Sequence, residues 1–278
     1  MAALIRALAI VAAGAISACL IAPTALCDGD YDFDTPTAFD TAINTGVGSN
    51  DAPFLTRDRD DLYYNHDEGG LNGDVVIYHA HRDSPAAAWS PGARLPFTQR
   101  PFTTNPYVTP DGNTLYFDDQ GLHRLDRTPS TGQFDGSATL LDHPAGAGAI
   151  SLTDDQLDMY FEHDPGGNQV AIYHAHRGNT AQDFPIAGTR VEGLDALGEQ
   201  LRAPSISSDG TTLVFATIDQ DLYLATGSGD VFAIQSPMPI QPASGTTFDG
   251  SITDDTIIVF ASGGFDPVIK FVERACHN

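Results

Sequence analysis

The chain writes "IYHAHR" twice, at residues 77–82 and 172–177, and each copy sets two histidines two residues apart: His79 with His81, and His174 with His176. Residues i and i+2 of a strand share a face, so each pair could grip one side of a metal ion through its imidazole nitrogens. The same pattern also arises when one structural unit is written twice. A metal would need a third ligand, and no His, Cys or Glu is placed to supply one. The expectation is histidines packed between blades and hydrogen-bonded there, with no metal.

Two loops ahead of these motifs are the stronger binding candidates. "NHDEGG" (65–70) and "EHDPGG" (162–167) put His66, Asp67, Glu68, His163 and Asp164 beside glycine pairs. Glycine lets the backbone approach a ligand, and a carboxylate beside an imidazole suits sugars, cationic groups or a metal. The plainer alternative is a solvated turn whose glycines were chosen for their backbone angles. For hydrolysis, Asp51 in "NDAPFL" could act as a base, with Glu192 or Glu199 as the acid, although the chain has only five glutamates. Such a pair must face each other across a sugar, roughly 5 to 9.5 Å apart. No Gly-x-Ser-x-Gly, phosphate loop or Cys-x-x-Cys is present, so no nucleophile elbow, nucleotide or redox chemistry, and no cofactor, is expected.

These residues are positioned by a repeat. "PFLTRDRDDLYY" from Pro53, "PYVTPDGNTLYF" from Pro106, "ISLTDDQLDMYF" from Ile150, "PSISSDGTTLVF" from Pro204 and "GSITDDTIIVF" from Gly250 align as strand, turn, strand. Each has an apolar residue before Ser or Thr, an Asp in the turn (58, 111, 155, 209, 255), and alternating apolar residues after it, which is the logic of a hairpin. The Ser/Thr positions recur at 53, 44, 54 and 46 residues, a period that marks propeller blades. A third strand follows each hairpin, and "IYHAHR" fills that place in blades one and three. A fourth strand led by Trp89, Phe134, Phe184 or Phe232 completes four blades. The fifth lacks one, and "TAFDTAI" (37–43), with Phe39, is expected to complete it and close the ring. The links between second and third strands should open on the same rim as the start of the next blade, placing the His-Asp loops at the mouth of the ring.

The pattern "PSISSDGTTLVF" followed by "DLYLAT" resembles the WD40-like propeller repeat of TolB C-terminal domains and many exported bacterial proteins, over residues 50–275. That resemblance implies an all-β, five-bladed β-propeller serving mostly as a binding platform. The chain departs from the pattern in blades three and five, where Asp-Gln and Asp-Thr replace Asp-Gly, and where His79, His81, His174 and His176 replace the usual Val and Thr. A five-bladed ring is also the scaffold of arabinanase-type glycosidases, which keeps hydrolysis of a glycan as the alternative function.

The ends and the charge suggest where the protein works. Residues 1–27 carry one basic residue, Arg6, and a nearly unbroken apolar run. They are expected to be a secretory or lipoprotein signal ahead of a single domain over 28–278, with blades starting near 50, 104, 147, 201 and 247 and a closing strand at 37–44. Cys19 follows Ile16, Ser17 and Ala18 in the manner of a lipobox, so acylation there competes with ordinary cleavage near residues 22–27. A lipid would be the only tie to a membrane. In an oxidising compartment Cys27 and Cys276 remain as a disulfide pair if the ring closes as described. The chain has 37 acidic residues against 13 basic ones, a net charge of −24, which excludes nucleic acid as a partner and favours solubility. Together these features point to an exported, non-catalytic propeller of the bacterial envelope that binds a protein or a glycan, located in the periplasm, on the outer membrane or outside the cell.

Overall fold

A computed structural model describes residues 32–69, 74–97, 103–142, 147–167, 169–185, 187–198, 200–237, 246–253, 255–263 and 267–275. Two short segments, β1 (Asp32–Phe33) and β2 (Thr37–Ala38), precede the blades. Blade one is β3 (Asn50–Leu55), β4 (Asp61–Asp67), β5 (Val75–His81) and β6 (Ala93–Arg94). Blade two is β7 (Thr104–Val108), β8 (Thr114–Asp118), β9 (Leu122–Asp126) and β10 (Thr139–Leu140). Blade three is β11 (Ala147–Leu152), β12 (Asp158–His163), β13 (Ala171–His176) and β14 (Thr189–Arg190). Blade four is β15 (Leu201–Ile206), β16 (Thr212–Thr217), β17 (Leu222–Ser228) and β18 (Val231–Pro237). Blade five is β19 (Thr246–Thr253), β20 (Ile257–Gly263) and β21 (Val268–Ala275), completed by β1 and β2.

The inner strands touch in cyclic order, β3 to β7, β11, β15, β19 and back to β3, so the fold is a closed five-bladed β-propeller. Closure follows from pairing across the ends of the chain. Asp32 faces Ala275 and Phe33 faces Arg274, while Thr37 faces Phe271 and Ala38 faces Lys270. The paired residues thus lie at 32–38; beyond them the chain turns at 41–43 instead of running extended to Asn44. Asn44 secures the join, donating to the Phe39 and Ile269 carbonyls at 3.0 Å each and accepting the Ile269 N–H at 2.9 Å. Phe39 packs against Trp89 of blade one and Phe271 of blade five. Pairing the last blade in this way removes an open sheet edge.

The core is divided among the five boundaries between blades. One apolar cluster sits at each, such as Tyr160, Ile172, Leu213 and Phe215 between blades three and four. Strands read as buried on both faces because each blade is sandwiched by its neighbours; β16, for example, is buried at all six positions.

The repeated turn has a local cause. Thr56, Thr109, Thr153 and Ser207 donate their hydroxyls to Asp58, Asp111, Asp155 and Asp209 at 2.6 to 2.8 Å. Each aspartate also accepts the N–H two residues on, so these carboxylates build the turn. Blade five departs from the aligned pattern. Its turn is one residue shorter, Asp255 itself takes the left-handed backbone (φ 64°), and its carboxylate reaches back to the Ser208 N–H and hydroxyl of blade four.

The aromatics expected to lead the fourth strands lie ahead of them in three blades. Trp89, Phe134 and Phe184 sit in the connecting loops under Arg82, Arg127 and Arg177, whose guanidinium carbons are 4.4, 4.4 and 4.2 Å from the ring centroids. The same arginines donate Nε–H to the carbonyls of Arg59, Gly112 and Gln156 in the hairpin turns. Only in blade four is the aromatic, Phe232, inside the strand. The arginine ending "IYHAHR" therefore clips a turn to a loop, and the aromatic marks the loop.

Candidate ligand site at one end of the axis

Every inner strand carries a β-bulge at the same place. The register shifts after Asp51, Thr104, Gly148, Arg202 and Phe248, and the bulged residues Ala52, Asn105, Ala149, Ala203 and Asp249 all have positive φ, between 32° and 55°. None is glycine, so the strain is maintained by the ring. The bulge turns an N–H toward the preceding blade. Asn105 donates to Asn65 Oδ1 at 2.9 Å, Ala149 to Asp118 Oδ2 at 3.1 Å, and Ala203 to Glu162 Oε2 at 3.1 Å.

These acceptors occupy one position of the repeat, the residue after the two aromatic or apolar residues of the second strand. It reads Asn65, Asp118, Glu162, Ala216 and Ala261 in blades one to five. Asp118 also accepts from Asn105 Nδ2 at 2.7 Å, and Asn65 donates to Asp51.

The result is four carboxylates from four blades at one end of the axis. Burial, with the Asp249 charge added, pushes Asp51 up to about 7 against the donor Asn65. Burial and the Glu162 charge push Asp249 up to about 6. Burial also raises Asp118 and Glu162, opposed by the N–H groups of Ala149 and Ala203. Each of the four side chains is half-buried. Asp51 Oδ1 and Asp118 Oδ1 are sealed and have no hydrogen-bond partner among the described residues. Ala52, Asn105, Ala149, Ala203 and Asp249 line a cavity of about 50 Å³ on the axis.

The opposite end behaves differently. The Leu157 N–H and the Thr153 hydroxyl hold Asp155 below the usual range, and Asp111 and Asp209 are lowered by similar bonds against the upward push of burial. A wider cavity of about 440 Å³ opens there, floored by Phe54, Tyr107, Ile206 and Ile252. Its carboxylates Asp58, Asp61 and Asp111 are already engaged in turns or by histidines, and Arg57 on its rim pairs with Asp154.

The His-x-His pairs hold aspartates. His79 Nε2 and His81 Nδ1 lie 2.6 and 2.9 Å from Asp61 Oδ1, and His174 Nε2 and His176 Nδ1 lie 2.8 and 2.9 Å from Asp158 Oδ1. Each aspartate is the first residue of the neighbouring strand, directly opposite the second histidine. Against the effect of burial, His79 and His81 lower Asp61, while the bond to Asp61 raises His81. His79 and His174 stack on Tyr63 and Tyr160 at 4.6 and 4.8 Å.

The loop residues singled out by sequence are largely engaged in local structure. His66 is buried, with Nδ1 2.7 Å from Asn50 Oδ1, and burial lowers its pKa. Asp67 accepts the Gly69 N–H, Glu68 accepts from Tyr78 and Arg94, and Asp164 accepts from Gly166 and Gln169. His163 packs edge-on against Tyr173, with a sealed Nδ1 that has no partner among the described residues. Of the hydrolytic candidates, Asp51 is at the axis, whereas Glu192 is exposed beside β18, its N–H bonded to the Asp230 carbonyl. Glu199, Cys19, Cys27, Cys276 and the signal segment lie outside the described residues. Among those residues no group of three or more His, Cys, Asp or Glu is arranged to hold a metal, and no helix is long and apolar enough to cross a membrane. Sequence reasoning missed Asp118, Glu162 and Asp249; the aligned position after the aromatic pair was the available signal for the first two.

The fold has parallels among solved structures. The chain is similar to a GH43_1 enzyme from Xanthomonas citri complexed with xylose, at 17% identity, covering 86% of this chain and 90% of that one with a TM-score of 0.58. It is similar to a TolB of Agrobacterium tumefaciens at 13% identity, 82% and 80% coverage and a TM-score of 0.52. The α-L-arabinofuranosidase PaAbf62A of Podospora anserina, in complex with cellotriose, matches at 10% identity, 88% and 97% coverage and a TM-score of 0.52. No family model and no curated protein matches. At these identities the likeness is one of fold.

Proposed function

We propose that this chain is an exported, non-catalytic binding propeller of the bacterial cell envelope, and that its ligand is a protein or glycan group received at the carboxylate-lined mouth. The observation that carries this reading is the placement of four half-buried carboxylates, Asp51, Asp118, Glu162 and Asp249, at one end of the axis. Structural hydrogen bonds anchor Asp118 and Glu162, so these side chains are held in place before any ligand arrives. The apolar amino-terminal segment, the acidic composition and the fold shared with TolB support export and a scaffold role.

Hydrolysis of a glycan is the second reading, favoured by two carboxyl groups, Asp51 and Asp249, lifted toward neutrality as acid-base chemistry requires. The fold shared with the GH43_1 enzyme supports it as well. Against it stand the anchoring of Glu162 to Ala203 and the position of Glu192 away from the axis.

The test is a screen of the purified protein against glycans and envelope fractions, with product analysis of any hit and repetition in Asp51→Asn. A ligand recovered unchanged and lost in the variant supports the binder. A glycan recovered as fragments establishes the hydrolase, and a ligand indifferent to Asp51→Asn removes the mouth from the function.

A further inference from the structure

We infer that the groove between blades two and three is a second ligand site, which takes a carboxylate carried on an aromatic ring. This site is separate from the mouth and does not rest on it.

One donor in the groove is unspent. The register sets Tyr63 opposite His79, Tyr116 opposite Arg124 and Tyr160 opposite His174, so the three tyrosines hold one position of the repeat. Two of their hydroxyls are committed to the following blade. Tyr63 accepts from Arg127 of blade two, and Tyr160 donates to the Gly229 carbonyl of blade four at 3.1 Å. Tyr116 is 6% exposed, and its hydroxyl has no hydrogen-bond partner among the described residues. That hydroxyl is not sealed, and Tyr116 lines a cavity of about 690 Å³ shared with Phe184 and Pro185 of blade three. Burial raises the pKa of the hydroxyl against the pull of Arg124 and Arg177, so it stays protonated and can donate. An acceptor placed in the cavity would complete it.

The charges beside that hydroxyl are positive. Arg124 and Arg177 line the same cavity and act on the Tyr116 hydroxyl and on each other. Arg124 gives Nε–H and Nη2–H to Asp126 at 3.0 and 3.3 Å, which leaves Nη1. Arg177 is buried and bonds to the carbonyls of Gln156 and Gln182, which leaves Nη2, and no carboxylate among the described residues pairs with it. Asp142 and Asp183 also line the cavity, but both are exposed, where water and salt screen them. The adjoining residues outside the described set, 143–146 and 186, include no acid. A hydroxyl beside two guanidinium edges suits a carboxylate, which only accepts. On a chain of net charge −24, a singly charged carboxylate is repelled less than a phosphate dianion.

The repeat itself shows what body fits. The boundary between blades five and one holds the equivalent groove. Phe271 stands there in the place of Arg124, and Phe39 in the place of Leu141, since the Phe39 and Leu141 N–H groups donate to the matching carbonyls of Ile269 and Leu122. Phe39 fills that groove, with its ring 5.7 and 5.2 Å from those of Trp89 and Phe271, and leaves about 150 Å³. Between blades two and three the smaller Leu141 leaves the space open beside Phe184, the counterpart of Trp89. A ligand ring set against Phe184 and Met159 restores the contact that Phe39 makes with Trp89.

The experiment is calorimetric titration of the full chain, in a buffer free of carboxylates, with phenylacetate and with Nα-acetyl-phenylalanine. Phenylacetamide and acetate serve as counterparts that lack the charge or the ring. The expected result is saturable binding of an aromatic carboxylate, about tenfold or more tighter than of either counterpart. Binding of Nα-acetyl-phenylalanine alone assigns the site to a polypeptide carboxyl terminus ending in an aromatic residue, whereas binding of phenylacetate assigns it to aromatic carboxylates at large.

Tyr116→Phe removes a hydroxyl that has no partner in the fold, so it should weaken binding about tenfold and leave Tm nearly unchanged. Tyr160→Phe, which removes a hydroxyl bonded within the fold, should lower Tm and leave binding intact. Leu141→Phe supplies the ring that Phe39 supplies between blades five and one, and should abolish binding in a protein that still melts cooperatively. Failure of both aromatic carboxylates to bind the cooperatively folding parent, equal binding of phenylacetamide or acetate, or binding that survives both Tyr116→Phe and Leu141→Phe overturns the inference.

Discussion

His174 places Nδ1 2.6 Å from Asp230 Oδ1, tying the third strand of blade three to the β17–β18 turn of blade four. Its other nitrogen is on Asp158, so both nitrogens of a nearly buried ring face carboxylates. The ring thereby links carboxylates of two different blades. Asp230→Ala removes one partner and should cost about 1 to 3 kcal/mol, lowering Tm by a few to about ten degrees in a thermal melt. An unchanged Tm would show that this link between blades contributes nothing.

The mouth carboxylates make stability fall as pH rises. Asp51 and Asp249 have native pKa values raised from 3.8 to about 7 and about 6, so the native state favours their protonated forms. Their contribution is complete below about pH 4 and is lost as pH climbs to about 7. Asp51→Asn, which cannot ionise, should melt several degrees above the parent at pH 8 and close to it at pH 4. A variant that is no more stable at pH 8 would contradict the burial of that charge.

At the other end the sign reverses. Asp61, Asp111, Asp155 and Asp209 are lowered, so their contribution is present above about pH 4 and disappears as pH falls below it. Asp155→Asn should flatten the acid limb of the Tm-against-pH curve and leave the alkaline limb alone.

Ring closure rests on Phe39, packed between Trp89 and Phe271. Phe39→Ala should cost about 3 kcal/mol or more, as aromatic truncations in cores do, and favour aggregation by loosening the edge of blade five. Denaturant unfolding and light scattering measure both. A variant as stable and monodisperse as the parent would mean that the amino-terminal segment is dispensable.

A disulfide between Cys27 and Cys276, both outside the described residues, is predicted from their places in the sequence, five residues before Asp32 and directly after its strand partner Ala275. In the loop-entropy model it would stabilise by roughly 4 to 5 kcal/mol. Peptide mapping, without reductant, of the protein produced in an oxidising compartment should recover the cross-linked peptide, and a free thiol at Cys276 would refute it.

The sequence by itself determined the blade. A hairpin is local: the Ser/Thr-x-Asp turn, the alternating apolar residues and the period near fifty residues lie within one segment, so five copies and an incomplete fifth could be counted and the closing segment identified. The details that failed were those in which one residue serves a neighbouring blade. The shorter fifth turn sends Asp255 to Ser208, and the aromatics Trp89, Phe134 and Phe184 serve as seats for arginines ahead of the strands they were expected to lead. The site was the least legible part. Asp51, Asp118, Glu162 and Asp249 are tens of residues apart and look like any other acidic side chains of an acidic protein. Only the closed ring brings them to one axis, because five bulges turn their strands the same way and the surrounding blades remove the water that would otherwise keep those carboxylates ordinary. Pattern along the chain specifies the repeat, whereas charge environment depends on what the other repeats place around it.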